Sequence, residues 1–264
     1  MHLPQINGKL NHNNFFIYGA CDAVYFDEFG KSLVNSIRTN SNNAIHLHLF
    51  NPRDDQLEFC RTNDVSLTYE YVDKNLFLNA AKRWATQPTD PAEKLKYDRI
   101  LNAMSKSDDA IILDRMQRTY FACARFIRLD EIIQKTNSAF SIDVDAIVRK
   151  SILPLENNCD VYLHHITGKK ARFLAGGVYL TGNEQSYNFI TEYAKILSDN
   201  ITNDYIYWGL DQDVLDIIVP KYKFNNLPFS FIDWEMKADS HIWTAKGTRK
   251  NLEVFINEKK KYSF

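Results

Sequence analysis

Two carboxylates separated by one residue, Asp143 and Asp145, follow an apolar stretch that ends at Ile142. Because alternate side chains of an extended chain point to the same side, both carboxylates can face one ion. A carboxylate pair that leaves coordination positions open suits Mg²⁺ or Mn²⁺ bound together with phosphate oxygens of a substrate. Such a triplet also arises by chance, and two occur in this chain. The metal-site hypothesis therefore depends on its position directly after a predicted strand.

The second triplet, Asp211-Gln212-Asp213, precedes the apolar residues of a predicted helix. Its acidic residues are typical of the first turn of a helix, where the helix dipole stabilises negative charge. Alternatively, Asp211 and Gln212 project from the start of the helix into a ligand pocket. Spacing alone favours the first interpretation and leaves the second open.

Glycines and basic residues elsewhere in the chain could also contact a ligand. Gly176 and Gly177 lead into a predicted strand, where glycine permits either a tight turn or a close approach of the backbone to a ligand. The loop at 246–250, Lys-Gly-Thr-Arg-Lys, could surround a diphosphate, or it could be a solvated cluster of charges. It is not a P-loop, because the upstream glycine and the Ser or Thr after the lysine are missing.

Several other kinds of site find little support in the sequence. The histidines in or beside predicted strands are assigned to polar strand faces in preference to a metal: His46, His48, His164 and His165. No G-x-S-x-G nucleophile elbow occurs. No glycine fingerprint follows the first strand, which disfavours a dinucleotide oxidoreductase.

The fold that must position these residues alternates strands with helices. Apolar runs predict strands at 15–17, 44–50, 66–72, 139–142, 161–163 and 177–180. Helical spacing of apolar residues predicts helices at 29–38, 79–84, 94–104, 111–133, 186–197 and 211–219. This alternation predicts an α/β domain with a central, mostly parallel sheet flanked by helices. Ligands of such sheets bind outside the carboxyl ends of the strands, where the two triplets are expected.

Composition excludes several classes of protein. The 264 residues are 45% hydrophobic and 13% aromatic, which supplies a core and excludes disorder. A net charge of -1 argues against binding of nucleic acid or anionic membranes through bulk electrostatics. No apolar run approaches the ~20 residues of a membrane-spanning helix, and residues 1–8 carry no secretory signal. We therefore expect a cytoplasmic protein with four buried, reduced thiols: Cys21, Cys60, Cys123 and Cys159.

Three segments between residues 15 and 145 resemble motifs of one enzyme family, the GT-A glycosyltransferases. The strand that leads to Asp22 and Tyr25 is similar to the family's opening strand with its Asp-x-x-Tyr. The helix around Arg125 resembles the family's Tyr-x-Arg-Leu helix, and Ser-Ile-Asp-Val-Asp at 141–145 resembles its Tyr-Leu-Asp-Ala-Asp. The likeness is to family eight in particular, the glycogenin and galactosyltransferase-like branch.

Three further segments continue this resemblance in the same order. Ala-Gly-Gly-Val at 175–178 is similar to Phe-Asn-Ala-Gly-Val, and the segment at 211–215 is similar to Asp-Gln-Asp-x-Leu. The segment at 244–250 parallels the tail His-x-x-Gly-x-x-Lys. Each motif is short, so the ordered set from residue 15 to residue 250 carries the resemblance. Because the motifs are drawn from the whole chain, we expect 1–264 to be a single GT-A domain with a Rossmann-like sheet.

The resemblance implies a metal-dependent enzyme that transfers a sugar from a nucleotide sugar, most simply a UDP-sugar, to a saccharide or another hydroxyl acceptor. It implies that Mn²⁺ or Mg²⁺ binds at Asp143 and Asp145, and that Asp211 and Gln212 are catalytic. The substrate-binding residues that it implies are Asp22, Tyr25, Arg125, Gly176, Gly177, Lys246, Gly247 and Lys250.

Two positions depart from the family's pattern. Thr244 stands where the family has a third metal ligand, a histidine, so the ion would be held by the two carboxylates, diphosphate and water, or by the nearby His241. Ala175 stands where the family has asparagine. Two alternatives stay open: a nucleotidyltransferase that makes sugar nucleotides, and a non-catalytic module that binds carbohydrate or protein.

Overall fold

The computed structural model describes residues 2–11, 14–84, 88–102, 109–135, 137–167, 172–228, 230–245 and 247–264. Within these ranges the strands are β1 (Asn7–Lys9), β2 (Phe16–Asp22), β3 (Ala44–Phe50), β4 (Ser66–Glu70), β5 (Ala139–Ile142), β6 (Ala146–Val148), β7 (Val161–Ile166), β8 (Arg172–Leu180), β9 (Phe224–Asn226), β10 (Ile232–Asp233) and β11 (Ile242–Thr244). The helices are α1 (Ala23–Tyr25), α2 (Lys31–Asn40), α3 (Asp54–Thr62), α4 (Leu78–Arg83), α5 (Pro91–Asn102), α6 (Asp109–Ile132), α7 (Glu184–Thr202), α8 (Leu210–Ile218) and α9 (Glu253–Lys260).

A mixed sheet of eight strands forms the centre of the fold, in the order β1-β4-β3-β2-β5-β8-β7-β9. The pairs β2–β3, β3–β4, β2–β5 and β7–β9 are parallel. Strand β8 runs antiparallel to both β5 and β7, and β1 runs antiparallel to β4. The predicted α/β class with a central, mostly parallel mixed sheet is confirmed.

Helices cover both faces of this sheet, because its central strands are apolar on both sides. In β2, Phe16 and Tyr18 pack on the side of α6, α7 and α8, whereas Ile17 packs on the side of α2 and α3. All three side chains are buried. A continuous apolar run is the expected sequence of a strand buried on both faces, which is why the start of β2 could be recognised in the sequence. Strand β3 has apolar residues on one face and the buried His46 and His48 on the other.

A small second sheet, β10-β11-β6, brings the C-terminal part of the chain beside the segment that follows β5. Strand β11 pairs antiparallel with β6, with Thr244 opposite Ala146. These strands have two or three residues each and were not predicted. The polar helix α3 was not predicted either, because its buried face is formed by Gln56, Leu57 and Cys60 and gives a weak apolar period.

The prediction of reduced thiols is confirmed. All four cysteines are free and buried. Burial raises the pKa of the Cys21 and Cys123 thiols, which keeps them protonated and unreactive. They act as small apolar side chains of the core.

Candidate active site

A pocket of about 1000 Å³ opens at the carboxyl ends of β2 and β5. Because these strands are parallel neighbours, the residues that follow them meet at one edge of the sheet. Eleven of the twelve predicted site residues line this pocket: Asp22, Tyr25, Arg125, Asp143, Asp145, Gly176, Gly177, Asp211, Gln212, Gly247 and Lys250. The twelfth, Lys246, lies outside the described residues.

Arg125, on α6, holds Asp143 in place. Its Nη1 donates to Oδ1 of Asp143 at 2.5 Å, and its Nη2 donates to the carbonyl oxygen of Ala175 at 2.9 Å. The Arg125 side chain is 7% exposed, whereas that of Asp143 is 42% exposed. The ion pair therefore holds the Asp143 carboxylate in place, and part of this carboxylate remains exposed to the pocket.

The two glycines of β8 have different surroundings. A Cβ atom at Gly176 would lie 2.7 Å from Oδ2 of Asp143, closer than non-bonded atoms can approach. A Cβ atom at Gly177 would instead lie 3.2 Å from Cδ1 of Ile232 and 3.5 Å from Cδ1 of Leu227. Gly176 thus permits the close approach of the Asp143 carboxylate, and Gly177 permits close packing of apolar side chains.

The sequence resemblance implies binding of UDP and Mn²⁺ at Asp143. We expect Gly176→Ala to weaken this implied binding by roughly tenfold or more, since overpacking costs about 1–3 kcal/mol unless Asp143 moves. Calorimetry with UDP and Mn²⁺ measures the effect. Gly177→Ala is the neighbouring comparison, because its new methyl group meets only the ends of apolar side chains. Equal losses in the two variants would show that Gly176 has no particular relation to Asp143.

Asp145 is buried and has three polar contacts. Its Oδ2 accepts the Tyr25 hydroxyl at 2.9 Å and lies 2.8 Å from Nζ of Lys250, and its Oδ1 lies 3.5 Å from Oγ1 of Thr244. Burial, and then the neighbouring Asp143 carboxylate, raise the pKa of Asp145. Burial lowers the pKa of Lys250. The contact between the two groups favours the charged form of each.

The small sheet explains how Lys250 reaches Asp145. The pairing of β11 with β6 carries the chain past Asp145, whose carbonyl oxygen accepts the amide of Ala245. Gly247, at φ +64°, then begins a 3₁₀ turn that ends at Asn251. From this turn the Lys250 ammonium lies 4.3 Å from the centre of the Tyr25 ring. The centre of the Phe29 ring lies 5.0 Å from the same ammonium group. The Tyr25 ring, the Phe29 ring and the Asp145 carboxylate thus surround this cation.

Asp22 ends β2 and caps the short helix α1. Its Oδ1 accepts the amide of Tyr25 at 2.7 Å, and burial raises the pKa of its carboxyl group. Asp22 and Tyr25 are therefore fixed relative to each other. The wall of the pocket around them contains polar residues that no motif indicated: Asn51, Lys74, Gln117 and Arg118.

Both interpretations of the Asp211-Gln212-Asp213 triplet apply, to different residues. Helix α8 begins at Leu210, so the triplet occupies its first turn. Asp211 and Gln212 line the pocket, and burial raises the pKa of Asp211. Asp213 faces elsewhere and pairs with Arg99 of α5 at 2.8 Å and with Arg172 of β8 at 3.2 Å. It therefore fixes α8 to its neighbours.

The carboxylate pair fits a divalent cation. Asp143 and Asp145 supply hard oxygen atoms from one short segment. A cation between them would offset the burial and the repulsion from Asp143 that raise the pKa of Asp145. No group of three or more His, Cys, Asp or Glu side chains suited to a metal occurs in the described part of the chain. Oxygen atoms of a ligand or of water would complete the coordination. His241 is not a lining residue of the pocket, and its Nδ1 lies 2.8 Å from the carbonyl oxygen of Ser151.

Aromatic residues at the pocket were largely missed. Trp208 and Trp234 line it, together with His164, which had been assigned to a polar strand face. Trp208 lies two residues before the start of α8, and Trp234 lies directly after β10. Neither belongs to a motif, and a single aromatic residue in an irregular segment more often contributes to the core.

No protein-family model and no curated protein sequence matches the chain. Solved structures do resemble it. The glycosyltransferase GlyE of Streptococcus pneumoniae has a TM-score of 0.56 at 13% identity, over 98% of this chain and 61% of that one. The bifunctional glycosyltransferase WbbM has a TM-score of 0.55 at 12% identity, over 96% of this chain. The chain spans about half of WbbM, 51% of its length.

The galactosyltransferase LgtC, solved with donor and acceptor sugar analogues, has a TM-score of 0.50 at 13% identity, over 93% of this chain and 95% of that one. At these identities the likeness concerns the fold, so membership of family eight stays a prediction. The chain has the mixed, Rossmann-like α/β fold of GT-A glycosyltransferases.

Proposed function

We propose that the protein transfers a sugar from a nucleotide sugar, a UDP-sugar, to a saccharide or another hydroxyl acceptor. The observation that supports this proposal is the convergence of Asp22, Asp143, Asp145, Asp211 and Lys250 on one pocket at the carboxyl edge of the sheet. A pocket with these carboxylates and a partly buried lysine has the charges that an anionic donor and a divalent cation require. The glycosyltransferase fold agrees with this chemistry.

The anionic part of the donor would lie between Asp145 and Lys250. Asp143 and Asp145 would hold Mn²⁺ or Mg²⁺, which supplies Lewis-acid stabilisation of the departing diphosphate. Lys250 would donate to the diphosphate oxygens from the opposite side, with Gly247 permitting close contact of the backbone. Lys246 is proposed for the same role from its sequence position.

The remaining residues would position the two reactants. Asp22 and Tyr25 would contact the nucleoside, and Arg125 would hold Asp143 beneath the donor sugar. Asp211 and Gln212 would line the space where the sugar meets the acceptor. In the reaction, the bond from the anomeric carbon to the diphosphate breaks and its electron pair leaves with the nucleoside diphosphate. The acceptor oxygen forms the new bond, and its proton passes to the leaving phosphate or to water.

Of the alternatives, a nucleotidyltransferase would need a glycine-rich basic loop directly after the first strand. At that position β2 continues into α1, and Asp22 caps the helix. Release of UDP from a UDP-sugar distinguishes an enzyme from a non-catalytic module.

The test is incubation of the protein with a panel of UDP-sugars and Mn²⁺, with free UDP measured over time and the product examined by NMR for anomeric configuration. We expect release of UDP with at least one donor, and release that stops when EDTA is added. Absence of UDP release with every donor, together with no Mn²⁺-dependent binding of UDP in calorimetry, would contradict the proposal.

Location and domain organisation stay predictions. Across the residues that the structure describes, no helix combines the length and the apolar character needed to cross a membrane. The cytoplasmic location and the single domain over 1–264 are proposed on the sequence.

A further inference from the structure

Helices α4 and α5 supply none of the residues proposed above for the donor, the metal or the reaction. Among the residues that the structure describes, none of these two helices lines the pocket. Side chains of this part of the chain instead contact the segment at 205–208, Tyr-Ile-Tyr-Trp, which leads through Gly209 into α8. The position of this segment matters for the site, because α8 carries Asp211 and Gln212 in its first turn.

Trp84, directly after α4, holds the segment through its backbone. The indole N–H of Trp84 donates to the carbonyl oxygen of Ile206 at 2.7 Å. Trp84 is 2% exposed, and Ile206 is fully buried. A buried carbonyl group that loses its donor is costly, because water does not replace the donor there. The bond therefore fixes the backbone at Ile206.

Two cations pack on the tyrosines of the same segment. The Arg83 guanidinium lies 4.5 Å from the centre of the Tyr205 ring, and the Lys96 ammonium lies 4.7 Å from it. Lys96 also donates to the Tyr205 hydroxyl at 2.5 Å and lies 4.9 Å from the centre of the Tyr207 ring. The side chains of the segment are thus held by cation–π contacts with α4 and α5.

Arg99 of α5 extends this contact into α8 itself. Its Nη1 pairs with both oxygen atoms of the Asp213 carboxylate, at 3.0 and 2.8 Å. The Tyr207 hydroxyl donates to the same carboxylate. The segment at 205–208 and the first turn of α8 are therefore joined to α5 at one carboxylate.

The path from Ile206 to Asp211 is short and tied by hydrogen bonds. The amide of Leu210 donates to the carbonyl oxygen of Tyr207 at 3.1 Å. The hydroxyl of the buried Tyr193 donates to the carbonyl oxygen of Asp211 at 2.8 Å. Because these bonds leave the backbone little freedom, a displacement at Ile206 would also displace Asp211.

We infer that Trp84 and Arg99 are positioning residues for sugar transfer, which set the place of Asp211 and Gln212 in the pocket without touching a substrate. Displacements of about 1 Å are enough to slow a reaction strongly. The proposed donor contacts lie on other elements, at the ends of β2 and β5 and in the C-terminal 3₁₀ turn, so they do not depend on α4 and α5. The inference rests on the proposed function, because that function gives Asp211 and Gln212 their part in the transfer.

The test compares Trp84→Phe and Arg99→Met with the wild-type protein. Trp84→Phe keeps an aromatic ring and removes the indole donor. We expect the turnover of UDP release from a UDP-sugar with Mn²⁺ to fall roughly tenfold in each variant. Calorimetry should give the wild-type affinity for UDP with Mn²⁺. Amide hydrogen exchange should become roughly fivefold faster at residues 205–216 and stay unchanged at residues 139–148.

Trp243→Phe is the matched control. The indole N–H of Trp243 donates to the carbonyl oxygen of Lys237 at the same distance, 2.7 Å, and Trp243 is 4% exposed. This variant should lower the melting temperature about as much as Trp84→Phe does. It should leave the turnover and the hydrogen exchange of residues 205–216 unchanged.

Three outcomes would overturn the inference: wild-type turnover by either variant, a loss of UDP affinity as large as the loss of turnover, or an equal loss of turnover in Trp243→Phe. In each of these cases UDP release by the wild-type protein would leave the proposed function standing. Absence of UDP release and of Mn²⁺-dependent UDP binding in the wild-type protein would instead contradict the proposed function itself.

Discussion

Asp143→Asn is expected to abolish sugar transfer while the protein stays folded. The asparagine oxygen can still accept the hydrogen bond of Arg125, which Asp143 now accepts at 2.5 Å. The negative charge that a divalent cation requires is lost, and the remaining carboxylate, Asp145, is already in contact with Lys250 at 2.8 Å. We expect a loss of roughly a hundredfold or more in UDP release from a UDP-sugar, because metal ligation and positioning of the leaving group fail together.

Thermal unfolding and calorimetry with Mn²⁺ separate the loss of chemistry from the loss of structure. The melting temperature should stay close to that of the wild-type protein, and metal-dependent UDP binding should disappear. Asp55→Asn is the matched control, since this carboxylate of α3 forms an exposed ion pair with Arg53. Wild-type turnover by Asp143→Asn would remove the metal assignment.

The sequence predicted the parts of the fold that have apolar residues on at least one buried face of a strand or helix. The predicted strands 44–50 and 139–142 agree with β3 and β5, because apolar residues dominate both segments, although β3 carries the buried His46 and His48 on one face. The first strand extends through Asp22, and β8 begins at Arg172, before the predicted start at Gly177. Gly19 and the pair at 176–177 are compatible with a turn as well as with a strand, so the boundaries there could not be read from the sequence.

Site residues that belong to a short sequence motif could be predicted. Site residues whose position depends on tertiary packing could not. Asp143 and Asp145 could be found because two carboxylates after a strand form a local pattern. That Asp211 lines the pocket and Asp213 pairs with Arg99 and Arg172 depends on the rotation of α8, which sequence does not give. The positions of Trp208 and Trp234 depend on turns that only the folded chain defines.

The contact between Lys250 and Asp145 could not be predicted from the sequence either, because it depends on the register of β11 against β6. The two residues are 105 positions apart in the chain and 2.8 Å apart in the fold, between Nζ and Oδ2. The ammonium group of Lys250 is thus a cation in direct contact with Asp145. The divalent cation that we propose at Asp143 and Asp145 would compete with this ammonium for the same carboxylate.

Lys250→Met is therefore expected to change two affinities in opposite directions. UDP binding in the presence of Mn²⁺ should weaken by roughly tenfold or more, because a charge-assisted hydrogen bond to the diphosphate is lost. Binding of Mn²⁺ in the absence of nucleotide should strengthen, because Asp145 no longer pairs with an ammonium group. Mn²⁺ titrations followed by electron paramagnetic resonance measure the second quantity, and calorimetry with UDP measures the first.

A control for this variant is present in the same part of the chain. Lys259 of α9 also lies over the Phe29 ring, at 4.6 Å, but its Nζ contacts the carbonyl oxygen of Glu28 and no carboxylate of the pocket. Lys259→Met removes a positive charge beside the same ring and should leave both affinities unchanged. If Lys250→Met weakens both affinities, the lysine does not compete with the metal for Asp145. If it changes neither, the lysine does not contact the diphosphate. Only a gain in metal affinity combined with a loss in nucleotide affinity agrees with an ammonium group that passes from Asp145 to the diphosphate when the donor binds.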